Sequence, residues 1–486
     1  MTSEERARRL GSARLIPLIL AMSAPAICGN LSNAMYNIIS RAFLGKYVSR
    51  AALGAMGLIF PLNNLIAALS VMITIGGAAL ISLSLGAGDR KRADAAFTNI
   101  LTFSAAASAA ISLVYFLFAE QLVRLCGANE TSALFAPAVQ YLRISAFGHI
   151  FQVVNQAAAS VIRAEGNTFY SMVVSVLGNF VNVGLGALFI VLFGWGVRGA
   201  ALATLFSQCV GAICSLSYFV RRKSVVRWRG LRALAWRQVG RVLSMGLAPA
   251  IFQGLSFFTN LLINNALMRH APAALGAEGG DLAIAAVSVI ATVENVALMI
   301  IMGMNNGISS IISYNYGAKN YPRVRKTSLV GQALASAAAA AIWALMMFTP
   351  SLLFSLFSSS GDVAILAYGA MAVRKSKLFM LFVGFQTLSS MYYSAIGKPR
   401  VATFISVCRN GLFLIPALLT LPRFFGLDGV LYSTAVSDVC SVAVVGAVYL
   451  AGMRDLRRKA RGLPQGPRPR DGAGEPHGKG MAAKEH

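Results

Sequence analysis

Twelve stretches of about twenty apolar residues follow one another along this chain, and no other feature restricts its fold as much. They lie near 15–38, 52–84, 97–119, 137–160, 168–193, 199–220, 243–268, 282–314, 328–349, 364–396, 401–422 and 427–451. A run of that length crosses the roughly 30 Å hydrocarbon layer of a bilayer as an α-helix. Backbone polar groups in lipid must be satisfied within the segment, so such runs fold as helices rather than open sheets. Of 486 residues, 57% are hydrophobic and 12% charged, whereas a soluble globule carries about 25% charged residues. Lipid must supply part of the solvent. The first run follows "MTSEERARRLGSAR" and has no small-residue cleavage site before the next loop, so it reads as a span rather than a removed signal.

The formal charge of +26 raises the question of a nucleic-acid partner. Its placement answers it. Thirty-one of the 43 Lys and Arg fall in the termini and in alternate loops on one side of a twelve-span arrangement, eight of them between Arg221 and Arg241. One of these, Arg163, is assigned to the 4–5 loop; Arg143, Arg374, Lys375, Lys377 and Arg409 sit at or near span ends. By the positive-inside rule both termini are cytoplasmic, and the charge is a topology signal. The expected units are an N-terminus (1–14), a first lobe (15–220), a basic linker (221–242), a second lobe (243–451) and a basic, largely disordered tail (452–486). The six cysteines form no C-x-x-C pair or Cys/His cluster, so no metal site is expected.

The chain also repeats itself. "ISLSLGAGDRKR" (81–92) and "ISYNYGAKNYPR" (312–323) share Ile-Ser, Gly-Ala and a closing Arg at an offset of 231 residues. "YLRISAFGHIFQVVNQAAASVIRAEGN" (141–167) aligns with "AVRKSKLFMLFVGFQTLSSMYYSAIGK" (372–398), "GAALATLFSQ" (199–208) with "GVLYSTAVSD" (429–438), and "APAI" recurs at 24–27 and 248–251. Pairings in one order at a nearly constant offset predict two six-helix bundles in tandem. An even number of spans gives both bundles one orientation, related by a pseudo-two-fold axis along the membrane normal with a central cavity between them. The doubled Gly-Ala stretch is then the cytoplasmic end of the second helix of each bundle, where glycine permits a tight exit turn.

In order and spacing, "GGAALISLSLGAGD", "IRAEGN", "GWGVRGAALATLFSQ", "GISSIISYNYGAKNYPRVRK" and "FQTLSSMYYSAIGKPR" resemble the multidrug and toxic compound extrusion (MATE) family over residues 10–455. The resemblance implies an all-α integral membrane protein of twelve helices in two six-helix lobes. It also implies export of cationic or amphipathic compounds driven by inward flow of H⁺ or Na⁺. Several members build a first-lobe cation site from an acid, an Asn, a second acid and a Thr. The matching positions here are Ser40, Asn182, Gly186 and Thr204. Two neutral oxygens give a hard cation site little selectivity, so H⁺ is expected as the coupling ion in preference to Na⁺.

Only two of the seventeen acidic residues lie well inside spans, Glu294 and Asp438. An ionisable residue near mid-bilayer costs several kcal/mol, and functional use is the default expectation. Burial disfavours the charged form of a carboxyl, which suits reversible protonation; a cationic drug should then bind more weakly as pH falls. Glu294-Asn295 aligns with Asn63-Asn64 at the 231-residue offset, which places a polar pair toward the cavity from each lobe. Asn33 with Asn37, Gln152 with Asn155, and Asn260 with Asn264 are further lining candidates at helical spacing. All of these read equally well as hydrogen-bonding glue between helices. His149 reads as a packed histidine, while Met304, Phe382, Phe385, Tyr392 and Tyr393 are candidate apolar contacts.

The resulting expectation is a monomeric secondary antiporter in the plasma membrane that meets small-molecule substrates and lipid and needs no cofactor beyond its coupling ion. The rival is a lipid-linked oligosaccharide flippase, which would suit Arg41, Arg143, Arg374 and Lys377, although such families usually have fourteen helices. No H-E-x-x-H, G-x-S-x-G or P-loop suggests an enzyme.

Overall fold

A computed structural model describes residues 3–127, 130, 132–221, 223–230, 235–276, 279–355 and 363–461. The N-lobe comprises α1 (Leu15–Tyr47), α2 (Phe60–Gly86), α3 (Arg90–Leu117), α4 (Phe135–Ala164), α5 (Thr168–Gly186, prolonged by a π-helical turn, Ala187–Leu192) and α6 (Gly196–Val220). In the C-lobe follow α7 (Trp236–Leu275), α8 (Gly279–Gly317), α9 (Tyr321–Phe348) and α10, which is broken into Val363–Ser376 and Val383–Ala395. The run from 399 to 460 bends back at Gly426, whose φ of 54° and ψ of −129° are not helical, and so supplies α11 (399–425) and α12 (427–460). Nine helices among the described residues are long and apolar enough to span a membrane unaided. Adding α4, the two-piece α10 and the division at Gly426 gives twelve legs. Leu125, Val220, Phe348 and Phe424 are each more than three-quarters exposed, a surface suited to lipid rather than water.

The repeat is visible in the turns. Asp89 caps α3 by accepting from the Arg92 amide, and its counterpart Asn320 caps α9 through the Arg323 amide. Immediately before these caps, Gly88 has φ 73° and Lys319 φ 58°, so one left-handed residue is needed at both positions. Gly166 and Gly397 have φ of 85° and 74° in the matching turns after α4 and α10. Proline interrupts the helical ladder at Pro25 in α1; the freed Ala21 carbonyl accepts from Thr168 Oγ1 of α5 at 3.4 Å.

The lobes meet through glycine. A Cβ on Gly86 would overlap the Tyr314 carbonyl oxygen, and one on Gly317 the Leu83 carbonyl oxygen. These four residues are repeat partners, so the two Gly-Ala stretches close on one another across the pseudo-axis. Gly76 and Gly246 bring α2 against α7, and Gly303 and Gly307 bring α8 against α1 in the equivalent seam. Both seams lie toward the face that carries the two termini.

On that face the helix Ser3–Ser12 wedges between the lobes with Leu10 buried. Asn315 Nδ2 donates to the Leu10 carbonyl at 2.8 Å, and Arg323 Nη2 donates to the Ala13 carbonyl at 2.5 Å. Arg6 donates to the Lys223 carbonyl at 3.1 Å. Nearby, Glu165, buried at the end of α4, accepts from Ser224 Oγ and from the amides of Val225 and Val226, which clasps the inter-lobe linker.

Two boundaries differ from the sequence expectation. The α7 helix starts at Trp236, inside the expected 221–242 linker, and α12 continues through 452–460 of the expected tail. The remaining tail, 462–486, lies outside the described residues.

Candidate functional site

Between the lobes lies a cavity of about 440 Å³, large enough for a drug-sized ligand. Ten positions of the N-lobe and the ten residues 231 positions later all line it; the pairs include Thr74 with Asn305, Asn155 with Gln386, Arg163 with Ser394 and Gly178 with Arg409. The cavity therefore sits on the pseudo-axis. Its wall is rich in amides, among them Asn30, Asn33, Asn37, Gln152, Gln156, Asn179 and Asn182. Of the sequence candidates, Asn33, Asn37, Gln152 and Asn155 are among the lining residues. Asn63, Asn64, Asn260, Asn264 and Asn295 do not line it: Asn260, Asn264 and Asn295 are exposed. Asn260 and Asn295 donate to carbonyls four residues back in their own helices. Helical spacing finds a face without saying what that face meets. Tyr392 and Tyr393 are buried in the C-lobe core, with Met304 beside them and Phe385 packed against it; none of these, nor Phe382, reaches the cavity.

In the N-lobe, the altered cation-site positions bind each other. Ser40 Oγ donates to Asn182 Oδ1 at 3.1 Å, and Asn182 Nδ2 bonds Thr204 Oγ1 at 3.4 Å and Ser207 Oγ at 3.1 Å. Thr204 in turn donates to the Ala200 carbonyl, and Gly186 faces Phe43. The set is neutral and mutually satisfied, and no cluster of three His, Cys, Asp or Glu occurs among the described residues.

The C-lobe holds a line of four charges. Lys377 Nζ lies 2.5 Å from Glu294 Oε2, Arg409 Nη2 lies 3.5 Å from Glu294 Oε1, and Arg409 Nε lies 2.7 Å from Asp438 Oδ1. Lys377 stands at the break in α10. The exposed backbone there is answered by Thr434 Oγ1, which donates to the Ser376 carbonyl at 2.6 Å, and by the Trp343 indole, which donates to the Leu378 carbonyl. Non-helical backbone at membrane depth is tolerated where protein buries it. Arg409 projects from a π-helical turn, Cys408–Leu414, whose carbonyl at Arg409 accepts from Ser437 Oγ. Such turns re-aim a side chain and recur at functional sites. The cluster is unique to this lobe: the repeat counterparts of Glu294, Lys377, Arg409 and Asp438 are Asn63, Ala146, Gly178 and Gln208.

These positions correct several sequence expectations. Lys377 and Arg409 are not at span ends; they neutralise the two acids. Glu294 and Asp438 do not face the cavity but sit behind Arg409, which does. Asp438 is 1% exposed, and its Oδ2 has no partner among the described residues. Arg163 belongs to the last turn of α4 and lines the cavity rather than a loop. His149 is packed against Tyr115 and bonds Gln152 Oε1 through Nδ1. The missed signal was depth. Measured from the span limits as the acids were, Lys377 and Arg409 lie well inside 364–396 and 401–422.

The MatE family model matches residues 25–188 and again 255–419, one match per lobe. Two curated relatives, each called multidrug export protein MepA, come from Staphylococcus haemolyticus and Staphylococcus aureus. They are 24% and 26% identical, aligned over 89% of this chain and 92% and 94% of their own lengths. Among solved structures, an outward-facing multidrug resistance MATE family transporter of the MOP superfamily superposes with a TM-score of 0.85 at 22% identity, covering 93% of this chain and 98% of its own. A MOP superfamily transporter from Pyrococcus furiosus Vc1 gives 0.84 at 23% identity, covering 92% and 98%.

Proposed function

The chain belongs to the MATE family of efflux transporters, and from that premise we propose that it exports amphipathic small molecules across the plasma membrane by secondary active transport, with H⁺ rather than Na⁺ as the coupling ion. The observation that carries this reading is the cavity on the pseudo-axis, sealed toward the terminus-bearing face by glycine contacts between the lobes. With both termini cytoplasmic, as the distribution of basic residues favours, the molecule faces outward, and rocking the lobes apart at the glycine seams exposes the same cavity to the cytoplasm.

The four-charge line supplies a place for the proton. It joins α8, α10, α11 and α12. Asp438 Oδ2, free of protein partners, accepts the proton; neutralising that carboxylate loosens Arg409 from α12 and lets helices that were tied together move apart. The neutral, self-bonded N-lobe set gives Na⁺ no carboxylate to bind. Twelve legs, rather than fourteen, weigh against the flippase alternative.

The test is uptake of dansyl-labelled amphiphiles into inverted vesicles, where export runs into the lumen, under separately imposed proton and sodium gradients. A rate that follows the proton gradient and ignores sodium supports the proposal. A rate indifferent to both gradients overturns it.

A further inference from the structure

Resting on the export reading for its cavity, we infer that the ligand carried there is an amphipathic acid, an oxyanion on an apolar body, held by Arg163 at the floor of the cavity. Two arginines line the wall and, among the described residues, no carboxylate does. Arg409 is spoken for by Asp438 and Glu294, and with Lys377 the four groups carry no net charge. Arg163 has no such balance. Its Nη1 donates to Ser171 Oγ at 2.8 Å, and no described carboxylate lies within ion-pairing distance of it. The nearest acid in sequence, Glu165, is turned into the linker clasp.

A cation in this cavity meets an uncompensated guanidinium and nothing but neutral amides in return. An oxyanion meets the planar fork of N–H donors that matches a carboxylate, sulfonate or phosphate. A second observation points the same way. Ser394, the repeat counterpart of Arg163, lines the cavity, is completely buried, and its hydroxyl has no partner among the described residues. It stands at the equivalent depth in the opposite lobe with its hydroxyl unused. Gln386 Oε1 and Asn305 Oδ1, also lining and without protein partners, are acceptors and suit hydroxyl or amide donors elsewhere on the ligand. Apolar wall atoms from Phe252, Met302, Met391 and Ile405 receive its body.

The test is equilibrium binding to the full chain in phosphatidylcholine nanodiscs at neutral pH, using three probes that share one fluorophore: dansylglycine (anion), its primary amide (neutral) and dansylcadaverine (cation). Dansylglycine should bind at least tenfold more tightly than dansylcadaverine, with the amide between them. Arg163→Gln should erase the preference, and Arg163→Lys should keep part of it. Adding phosphatidylglycerol separates a free acid from an acidic headgroup; if it displaces dansylglycine, the oxyanion site stands and its source is lipid. Equal or tighter binding of the cation, no binding of any probe, or a preference that survives in folded Arg163→Gln would each overturn the inference. Because no gradient is imposed, loss of gradient-driven efflux would leave this result intact and would count only against the export reading.

Discussion

At the scale of single residues, Arg409 carries the C-lobe arrangement. Arg409→Gln leaves Asp438, 1% exposed, without its ion partner. Removing one member of a buried pair destabilises by about 3–5 kcal/mol. The single variant should therefore unfold at a clearly lower temperature in detergent, and Arg409→Gln/Asp438→Asn should recover much of the loss. Equal melting of the two would mean that the pair does not hold the lobe together. Glu294→Gln tests the other half of the line. It keeps the shape of the side chain but removes the charge that ties Lys377 of α10 to Arg409 of α11, so coupled export should fall sharply while the protein still reaches the membrane. Export at the wild-type rate would reduce Glu294 to a helix contact. Both acids were legible in the sequence because a carboxylate within an apolar run is rare. Their basic partners were not, because positive charge is expected near span ends and was assigned there. Arg163 escaped for the same reason, since one helical turn decides between loop and cavity wall.

Among the elements, the glycine seams and the linker clasp each make a prediction. A side chain at Gly86 would overlap the Tyr314 carbonyl, so Gly86→Val should hold the lobes apart on the terminus-bearing face. Electron–electron distances between spin labels placed in the 2–3 and 8–9 loops should lengthen relative to wild type; an unchanged distribution would mean that the seam does not need glycine. The clasp responds to pH. Burial pushes the Glu165 carboxyl up to about 7, against the pull of its donors Ser224, Val226, Val225 and Tyr218. A folded-state value above the unfolded one means that the folded form binds more protons between roughly pH 4.5 and 7. Its contribution is thus most favourable in acid and weakens as pH rises through that window, by on the order of 3 kcal/mol in all. Melting temperatures of wild type minus Glu165→Gln should fall from pH 4.5 to 8, and a flat difference would contradict this. The helices themselves were readable from apolar length, and the repeat gave their pairing. The break in α10 and the π-helical turn in α11 were not readable, because both depend on partners from other helices, Thr434 and Trp343 for the first and Ser437 for the second.

For the whole molecule, the two lobes share a backbone plan and divide the chemistry. The N-lobe positions Ser40, Asn182 and Thr204 satisfy one another without charge, so replacing Na⁺ by choline at fixed pH should change transport by well under tenfold. The family plan was legible from motif order alone, whereas the cavity's charge balance emerged only when side chains from both halves were brought together. Taken with the proposed coupling, that balance has a consequence for voltage. A proton entering as a monovalent cation leaves moves no net charge, and such an exchange is indifferent to membrane potential. On the proposed proton coupling and the oxyanion ligand inferred from Arg163 and the neutral four-charge line, the departing species would be an anion instead. Each turn of the cycle then carries two elementary charges in the same electrical sense. At about 2.3 kcal/mol per charge per 100 mV, an inside-negative membrane adds roughly 4.6 kcal/mol to every turnover at 100 mV. Proteoliposomes given a potassium diffusion potential by an ionophore across a potassium gradient, with no pH difference across them, should export dansylglycine in proportion to the imposed potential and stop when equal potassium on both sides lets the same ionophore hold it at zero.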